Sequence, residues 1–180
     1  MRNIKKALRI LQYGGVIAHA TETCYGLACD MTNPTAVAKL FGIKHRPNDM
    51  PVSALFTSIE EAKKYVEWNA LAEDLATTYL PGPLTLILPL KKNTIIFSCL
   101  KSNASSLGIR ISSHPIARRL AKEFGKPLST TSANLHGQPN PYCVDDIVPC
   151  DLILDSGNLP EVPPSKVVDC TGQEPKMLRL

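Results

Sequence analysis

At 180 residues, with 44% hydrophobic and 20% charged side chains, the chain has the length and composition of one soluble globular domain. Its formal charge of +4 permits an anionic ligand or RNA without demanding either. No run approaches the roughly 20 apolar residues of a membrane span, no apolar leader opens the chain, and the six scattered cysteines form neither a C-x-x-C pair nor a zinc spacing. A cytoplasmic protein with reduced, mostly buried thiols is the expectation.

The predicted elements begin with a helix, because Ile4, Ala7, Leu8 and Leu11 recur at helical spacing before Gly14-Gly15. Residues 16–18 read as a short buried strand running into Thr21-Glu22-Thr23 and then Tyr25-Gly26-Leu27. Those threonines belong either to a turn whose backbone approaches a ligand or to a hairpin with Thr on its outer face. Thr32-Asn33-Pro34 supplies a capping side chain and a proline for a helix that carries Val37, Ala38, Leu40 and Phe41 and is closed by Gly42. In Lys44-His45-Arg46-Pro47 the two cations are two residues apart, so an extended backbone points both the same way. Such a pair is a clamp for phosphate or carboxylate, or else a solvated loop.

A strand is expected over 52–56, then a capping box of Ser58 and Glu61 for a helix running to Val66. Asn69 caps the next helix, with Leu71, Leu75 and Tyr79 on its face, and Pro81-Gly82-Pro83 stops it. Residues 84–88, apolar but for Thr85, predict a strand covered on both faces. Residues 95–100 predict a weaker strand, and 102–106 a polar loop. Arg110 stands inside the apolar run 107–111, where a charge must snorkel, pair or meet a ligand. Ser113-His114-Pro115 opens a helix that Gly125 ends.

Behind Leu128 come Ser129, Thr130, Thr131, Ser132 and Asn134, then a loop with His136, Gly137, Pro139 and Pro141. Hydroxyls and an amide at a strand's end suit a ligand with several oxygens, or they shape a turn and cap the next segment. A helical turn over 144–148 and strands over 152–155, 165–169 and 177–180 complete the pattern. Strands interleaved with helices of about ten residues predict an α/β or α+β sheet with mixed pairing. The sequence lacks the glycine-rich nucleotide motifs, H-E-x-x-H, G-x-S-x-G and the aromatic signatures of RNA-binding folds. Its polar clusters (Thr21/Thr23, Lys44/Arg46, Arg110, Ser132/Asn134, Ser165 and Arg179) each fall near a strand end, predicting one cationic, hydroxyl-rich cleft for a small anionic ligand.

Five stretches, Thr-Glu-Thr-Cys-Tyr-Gly-Leu, Lys-His-Arg-Pro, Pro-Gly-Pro-Leu-Thr, Gly-Ile-Arg-Ile-Ser-Ser-His-Pro and Ser-Thr-Thr-Ser-Ala-Asn-Leu-His-Gly, stand in the order and spacing of the YrdC/Sua5 family. The match runs from about Val16 to Asp169, and the chain resembles the family's short, TsaC-like form. The resemblance implies a single YrdC-like domain over residues 1–180: a twisted, open mixed sheet with flanking helices and a concave, basic cavity. It implies threonylcarbamoyl-AMP synthase activity, which converts L-threonine, bicarbonate and ATP to threonylcarbamoyl-adenylate and pyrophosphate for the t6A modification of tRNA. Mg²⁺ is then expected with ATP, without a metal site made of protein ligands alone. Transfer RNA and the downstream t6A-synthesis proteins are candidate partners.

Carried over by motif, Lys44 and Arg46 face the nucleotide phosphates as the catalytic cations, and Ser132, Asn134 and Arg179 also lie at the nucleotide. By the same resemblance, Thr21, Thr23 and Tyr25 line the threonine pocket, Arg110 holds the threonine carboxylate, and Ser165 lies beside it. Three residues depart from the family pattern. Ser112 replaces the usual Pro, Lys166 replaces a common Thr and is expected to add a cation near the threonine site, and Leu55 stands where some members carry His. A non-catalytic module for double-stranded RNA or tRNA is the competing reading, and an acyl- or carbamoyl-transfer accessory domain is a third.

Overall fold

Local signals in the chain set most of the element ends. In the computed structural model, which describes residues 2–99 and 105–179, α1 spans Arg2–Gln12 and buries Ile4, Ala7 and Leu11. Gly14 then takes a left-handed turn at φ 79°, and β1 (Ile17–Ala20) and β2 (Tyr25–Ala28) form a hairpin. Asn33 accepts the N–H groups of Thr35 and Ala36 at 3.0 and 3.3 Å and starts α2 (Pro34–Lys44). Contrary to expectation, α2 does not stop at Gly42. The carbonyls of Phe41 and Gly42 accept the N–H groups of Arg46 and His45, so the helix reaches Lys44 and ends at His45, φ 49°.

Next come β3 (Ser53–Leu55), α3 (Ile59–Ala62), α4 (Ala70–Tyr79) and β4 (Leu84–Pro89). The helix expected to reach Val66 is cut short because Val66 is bridged to Leu90 as extended chain. In α4 the buried residues are Ala72 and Ala76; Leu71 and Leu75 are half-buried, and Tyr79 is 55% exposed. The small side chains let this helix lie close to the sheet, which displaces the larger ones to its flanks. No strand forms over residues 95–99. Phe97 donates to Met31 O and Val52 donates to Ser98 O, so the segment is tied to two separate neighbours and builds no ladder. Leu100, the end of that expected strand, and residues 102–104 of the expected polar loop lie outside the described residues.

The second half holds β5 (Ser106–Arg110), α5 (Pro115–Phe124), β6 (Leu128–Ser132), a 3-10 turn (Val144–Asp146), β7 (Leu152–Leu154), β8 (Lys166–Asp169) and β9 (Lys176–Arg179). His114 caps α5 through Nδ1, which accepts the N–H of Ile116 at 3.3 Å. Gly125, at φ 71°, closes that helix. The nine strands make one sheet in the order β7-β1-β2-β6-β3-β5-β4-β8-β9. β7/β1, β3/β5 and β4/β8 pair in parallel and the other neighbours antiparallel, as the expected mixed pairing requires.

Strand alternation sorts the side chains onto two faces. On one face Ala18, Leu27, Ala54, Leu86 and Ile109 pack with Val37, Leu40 and Phe41 of α2 and Ala72 and Ala76 of α4. On the other, Ile17, Ala28, Leu55 and Leu128 pack with Ala7 and Leu11 of α1 and Leu120 of α5. Each such buried Leu or Ile contributes roughly 1.5–3 kcal/mol. Helices α1 and α5 cover only part of their face, and the site lies on the uncovered remainder. No helix among the described residues is long and apolar enough to cross a membrane.

Candidate active site

Along the strands, the residues that continue the α1/α5 face change from apolar to polar where those helices end. In β6, Leu128 lies under the helices, whereas Thr130 and Ser132, two and four residues on, line an open cleft. In β3, Leu55 is core and Ser53 lines the cleft; in β4, Thr85 and Ile87 line it while Leu84, Leu86 and Leu88 point to the opposite core. The cleft has a volume of about 670 Å³ and gathers nine of the ten sequence-predicted site residues: Thr21, Thr23, Lys44, Arg46, Arg110, Ser132, Asn134, Ser165 and Arg179. Among the described residues, four of its lining side chains are Lys or Arg, against the single carboxylate of Asp49, so the field inside favours an anion.

One wall is organised by Lys44, which is 1% exposed. Its ammonium donates to Ser132 O, to Asn134 O at 2.7 Å and to Asn134 Oδ1 at 3.1 Å. Ser132 Oγ donates to the same Oδ1 at 2.6 Å, and Asn134 Nδ2 donates to Gln138 O and Pro139 O. A cation at the end of α2 also meets the negative end of that helix. Burial, and then the charge of Arg46, push the Lys44 ammonium down to about 8. The extended backbone expected for this pair does not form, although both side chains line the cleft. Lys44 is the last helical residue and His45 is left-handed, so Arg46 turns away and donates to Met50 O at 2.9 Å and Pro51 O at 2.7 Å.

The opposite wall is built from the β1–β2 turn and the ends of β5, β8 and β9. The Thr21 hydroxyl donates to Cys24 O at 2.6 Å and accepts the N–H groups of Thr23 and Cys24 at 3.2 Å, with the Thr23 hydroxyl 3.0 Å away. This turn is therefore fixed by its own side chains, and both threonines are buried rather than on an outer face. Arg110 is 4% exposed and pairs through Nη2 with Glu22; its Nη1, also buried, has no partner among the described residues. Burial weighs against its charge and Glu22 supports it. Arg179 donates to Ser165 O at 2.8 Å and Ser165 Oγ at 2.9 Å, and Ser165 Oγ lies 3.3 Å from the Thr85 hydroxyl.

Tyr25 is the residue the structure sets apart. Its ring is fully buried with Leu27 on the α2/α4 face, and its hydroxyl donates to Gly157 O and accepts the N–H of Ser156, both at 2.8 Å. It fixes the 156–157 loop and does not line the cleft, for which its neighbour Gly26 supplies the surface. Lys166 is exposed and absent from the cleft lining, since its neighbours Ser165 and Val167 take the inward positions; the expected added cation is not there. Leu55 is core beneath α5. Ser112 donates to Glu22.

Sequence reasoning missed Glu22, Asp49, Thr85, Gln138 and Asn140. Thr85 could have been found by carrying the period-2 pattern of its strand past the apolar positions. Glu22 offered a weaker signal: an acid among threonines, and an arginine in an apolar strand lacking a visible counter-charge.

A model of the Sua5/YciO/YrdC family, described as "Telomere recombination", matches residues 9–180. The threonylcarbamoyl-AMP synthase of Photobacterium profundum is 36% identical over 162 residues, 88% of this chain and 81% of that protein. Among solved structures, P. abyssi Sua5 complexed with L-threonine superposes with a TM-score of 0.87 at 30% identity; the match takes in 98% of this chain and 53% of that one, so this chain spans about half its length. E. coli YciO gives a TM-score of 0.85 at 27% identity, covering 99% of this chain and 88% of its own. With the fold, the cleft and these matches in agreement, the chain belongs to the Sua5/YciO/YrdC family.

Proposed function

We propose that this chain is a threonylcarbamoyl-AMP synthase, acting in the cytoplasm on L-threonine, bicarbonate and ATP. The observation that carries the reading is the convergence of Lys44, Arg46, Arg110 and Arg179 with hydroxyls from five separate segments on one cleft of about 670 Å³. Its volume and charge suit a nucleotide and an amino acid held side by side. Relatives of that name, and a Sua5 structure containing L-threonine, support it.

In this reading, the threonine amine and bicarbonate give N-carboxy-threonine and water. One oxygen of the new carboxylate attacks the α-phosphorus of ATP, the bond to the β-phosphate breaks, and pyrophosphate leaves. No covalent nucleophile is needed from the protein, so its work is positioning and neutralising charge. Lys44, Arg46, Ser132, Asn134 and Arg179 take the nucleotide, and Thr21, Thr23, Arg110 and Ser165 the amino acid. Tyr25 acts from behind the wall. Because Lys44 already holds three oxygens of the 132–134 segment, it serves the phosphates chiefly by fixing that loop and lending it charge.

A divalent cation such as Mg²⁺ would arrive with the triphosphate, whose charge it screens; Asp49 is the carboxylate nearest to hand in the cleft lining. Among the described residues, no group of three His, Cys, Asp or Glu could hold such an ion without the nucleotide. The adenylate would pass to the proteins that modify tRNA. A purely RNA-binding role fits less well, because Lys44 and Arg110 are 1% and 4% exposed, too recessed to track a phosphate backbone. The test is pyrophosphate release measured with each substrate omitted in turn. Release that needs ATP, L-threonine and bicarbonate together is expected, and release indifferent to threonine would reject the assignment.

A further inference from the structure

Glu22 sits in the tight turn between β1 and β2, yet both oxygens of its carboxylate are committed to residues far along the chain. Oε1 accepts from Arg110 Nη2, and Oε2 accepts from the Ser112 hydroxyl. Ser112 Oγ in turn accepts the N–H of His114 at 3.1 Å, and His114 Nδ1 accepts the N–H of Ile116 at 3.3 Å. A continuous path of hydrogen bonds thus joins the threonine-bearing turn to the end of β5 and the first turn of α5. The side chains of Glu22 and Arg110 are 16% and 5% exposed, so the pair is held largely out of water. Under those conditions a carboxylate with two donors is a rigid anchor.

Arg110 is left half-satisfied by this anchor. Nη2 is spent on Glu22, whereas Nη1 is buried without a partner among the described residues. Buried donors without acceptors are rare in folded proteins, and of the four such side chains among the described residues Arg110 is the one that lines the cleft, where a bound group can reach it. A planar guanidinium fixed at one nitrogen presents the other along a set direction, and the second direction suits a carboxylate. The charges point the same way. Arg110 and Arg179 lie close enough to repel, and Glu22 offsets only one of them.

We infer that Glu22 is a positioning residue which, braced by Ser112, aims the free edge of Arg110 at the carboxylate of the incoming amino acid. It governs amino-acid binding without touching the amino acid. The inference rests on the synthase reading above and adds to it a determinant for one of its two ligands. It also gives Ser112 a function: its hydroxyl is the second donor that holds the Glu22 carboxylate in register.

The experiment compares wild type, Glu22→Gln and Ser112→Ala by steady-state pyrophosphate release and by calorimetric titration with L-threonine and with ATP. Glu22→Gln keeps size and one acceptor but removes the charge. Its KM for threonine is expected to rise about tenfold or more, with the ATP constants within about twofold of wild type. Ser112→Ala should show the same split at about threefold. A merely structural role would lower both affinities together, or lower only the melting temperature, and either result overturns the inference. If Glu22→Gln does not fold, Ser112→Ala decides by the same split, and an unchanged threonine KM in it counts against the inference. Wild type that releases no threonine-dependent pyrophosphate would instead reject the synthase reading, whereas active wild type with unaltered variants would reject this inference alone.

Discussion

Lys44 gives two of its three ammonium hydrogens to Asn134, one to the backbone oxygen at 2.7 Å and one to the side-chain oxygen at 3.1 Å; the third goes to Ser132 O. A buried cation thereby sets the shape of the loop that closes one side of the cleft. Removing it strands the backbone oxygens of Ser132 and Asn134, each worth about 1–3 kcal/mol when left unsatisfied, while Asn134 Oδ1 keeps the Ser132 hydroxyl. Lys44→Ala should therefore lose both melting temperature and ATP affinity, the latter by about 10²-fold if one phosphate-stabilising charge is lost. Calorimetry showing wild-type ATP affinity in this variant would remove Lys44 from the nucleotide side.

The same lysine predicts a pH dependence with opposite signs for two observables. Its ammonium is held down at about 8 against an ordinary 10.5. Between those values the folded protein has released a proton that the unfolded chain retains, so this group makes stability rise with pH across that window. ATP binding should move the other way, weakening as the pH passes about 8 and the cation is lost. Titrations at pH values on either side of 8 check the second sign, and denaturant melts check the first.

His19 predicts acid sensitivity of the fold. It is fully buried, Nδ1 faces Ala20 O at 3.0 Å, and Nε2 has no partner among the described residues. Burial pushes it down to about 4 from 6.5. Because the unfolded chain takes up a proton that the folded chain refuses, stability falls as pH drops from 6.5 towards 4, by on the order of 3 kcal/mol in total. His19→Leu should flatten that slope in denaturant melts across the window. An unaltered slope would place the acid sensitivity elsewhere.

Arg110 carries structure and binding together, and a double substitution separates them. Arg110→Met strands the Glu22 carboxylate and should cost roughly 3–5 kcal/mol. Adding Glu22→Gln removes the stranded charge, so much of that stability should return while threonine binding does not. Recovery of threonine binding in the double variant would show that the guanidinium does not hold the amino acid.

Tyr25 predicts a stability effect without a binding effect. Tyr25→Phe loses the hydrogen bonds to Gly157 O and Ser156 N–H, at about 1 kcal/mol each. The threonine KM should stay within about twofold of wild type, since the ring lies on the face away from the cleft. A loss of tenfold or more would return Tyr25 to the threonine pocket.

What could be read in the sequence was local. Asn33 and Asn69 as caps, Gly125 as a helix end and the apolar run of β4 each depend on neighbours a few residues away, and each stands where its residues put it. The strand order was not legible, because β5 lies between β3 and β4 and β6 between β2 and β3, pairings that no short-range signal encodes. The site followed the same division. Its hydroxyls and cations were visible at strand ends, but the partner of Arg110 lies 88 residues away. The expected alignment of Lys44 with Arg46 failed because α2 runs past Gly42, so that a geometry argued for extended chain falls on a helix end. Tyr25 stands apart from the cleft for the opposite reason: its motif neighbours line the cleft, but strand alternation sends Tyr25 and Leu27 to the far core.

The most direct measurement is mass spectrometry of the product formed from isotopically labelled bicarbonate, labelled L-threonine and ATP. If one cleft holds all three reactants, a single adenylate carrying both labels should form in wild type and fall by about 10² or more in Arg110→Lys, whose ammonium cannot bridge Glu22 and the amino acid as a planar guanidinium does. Pyrophosphate appearing without a doubly labelled adenylate, or an undiminished yield in Arg110→Lys, would contradict the account.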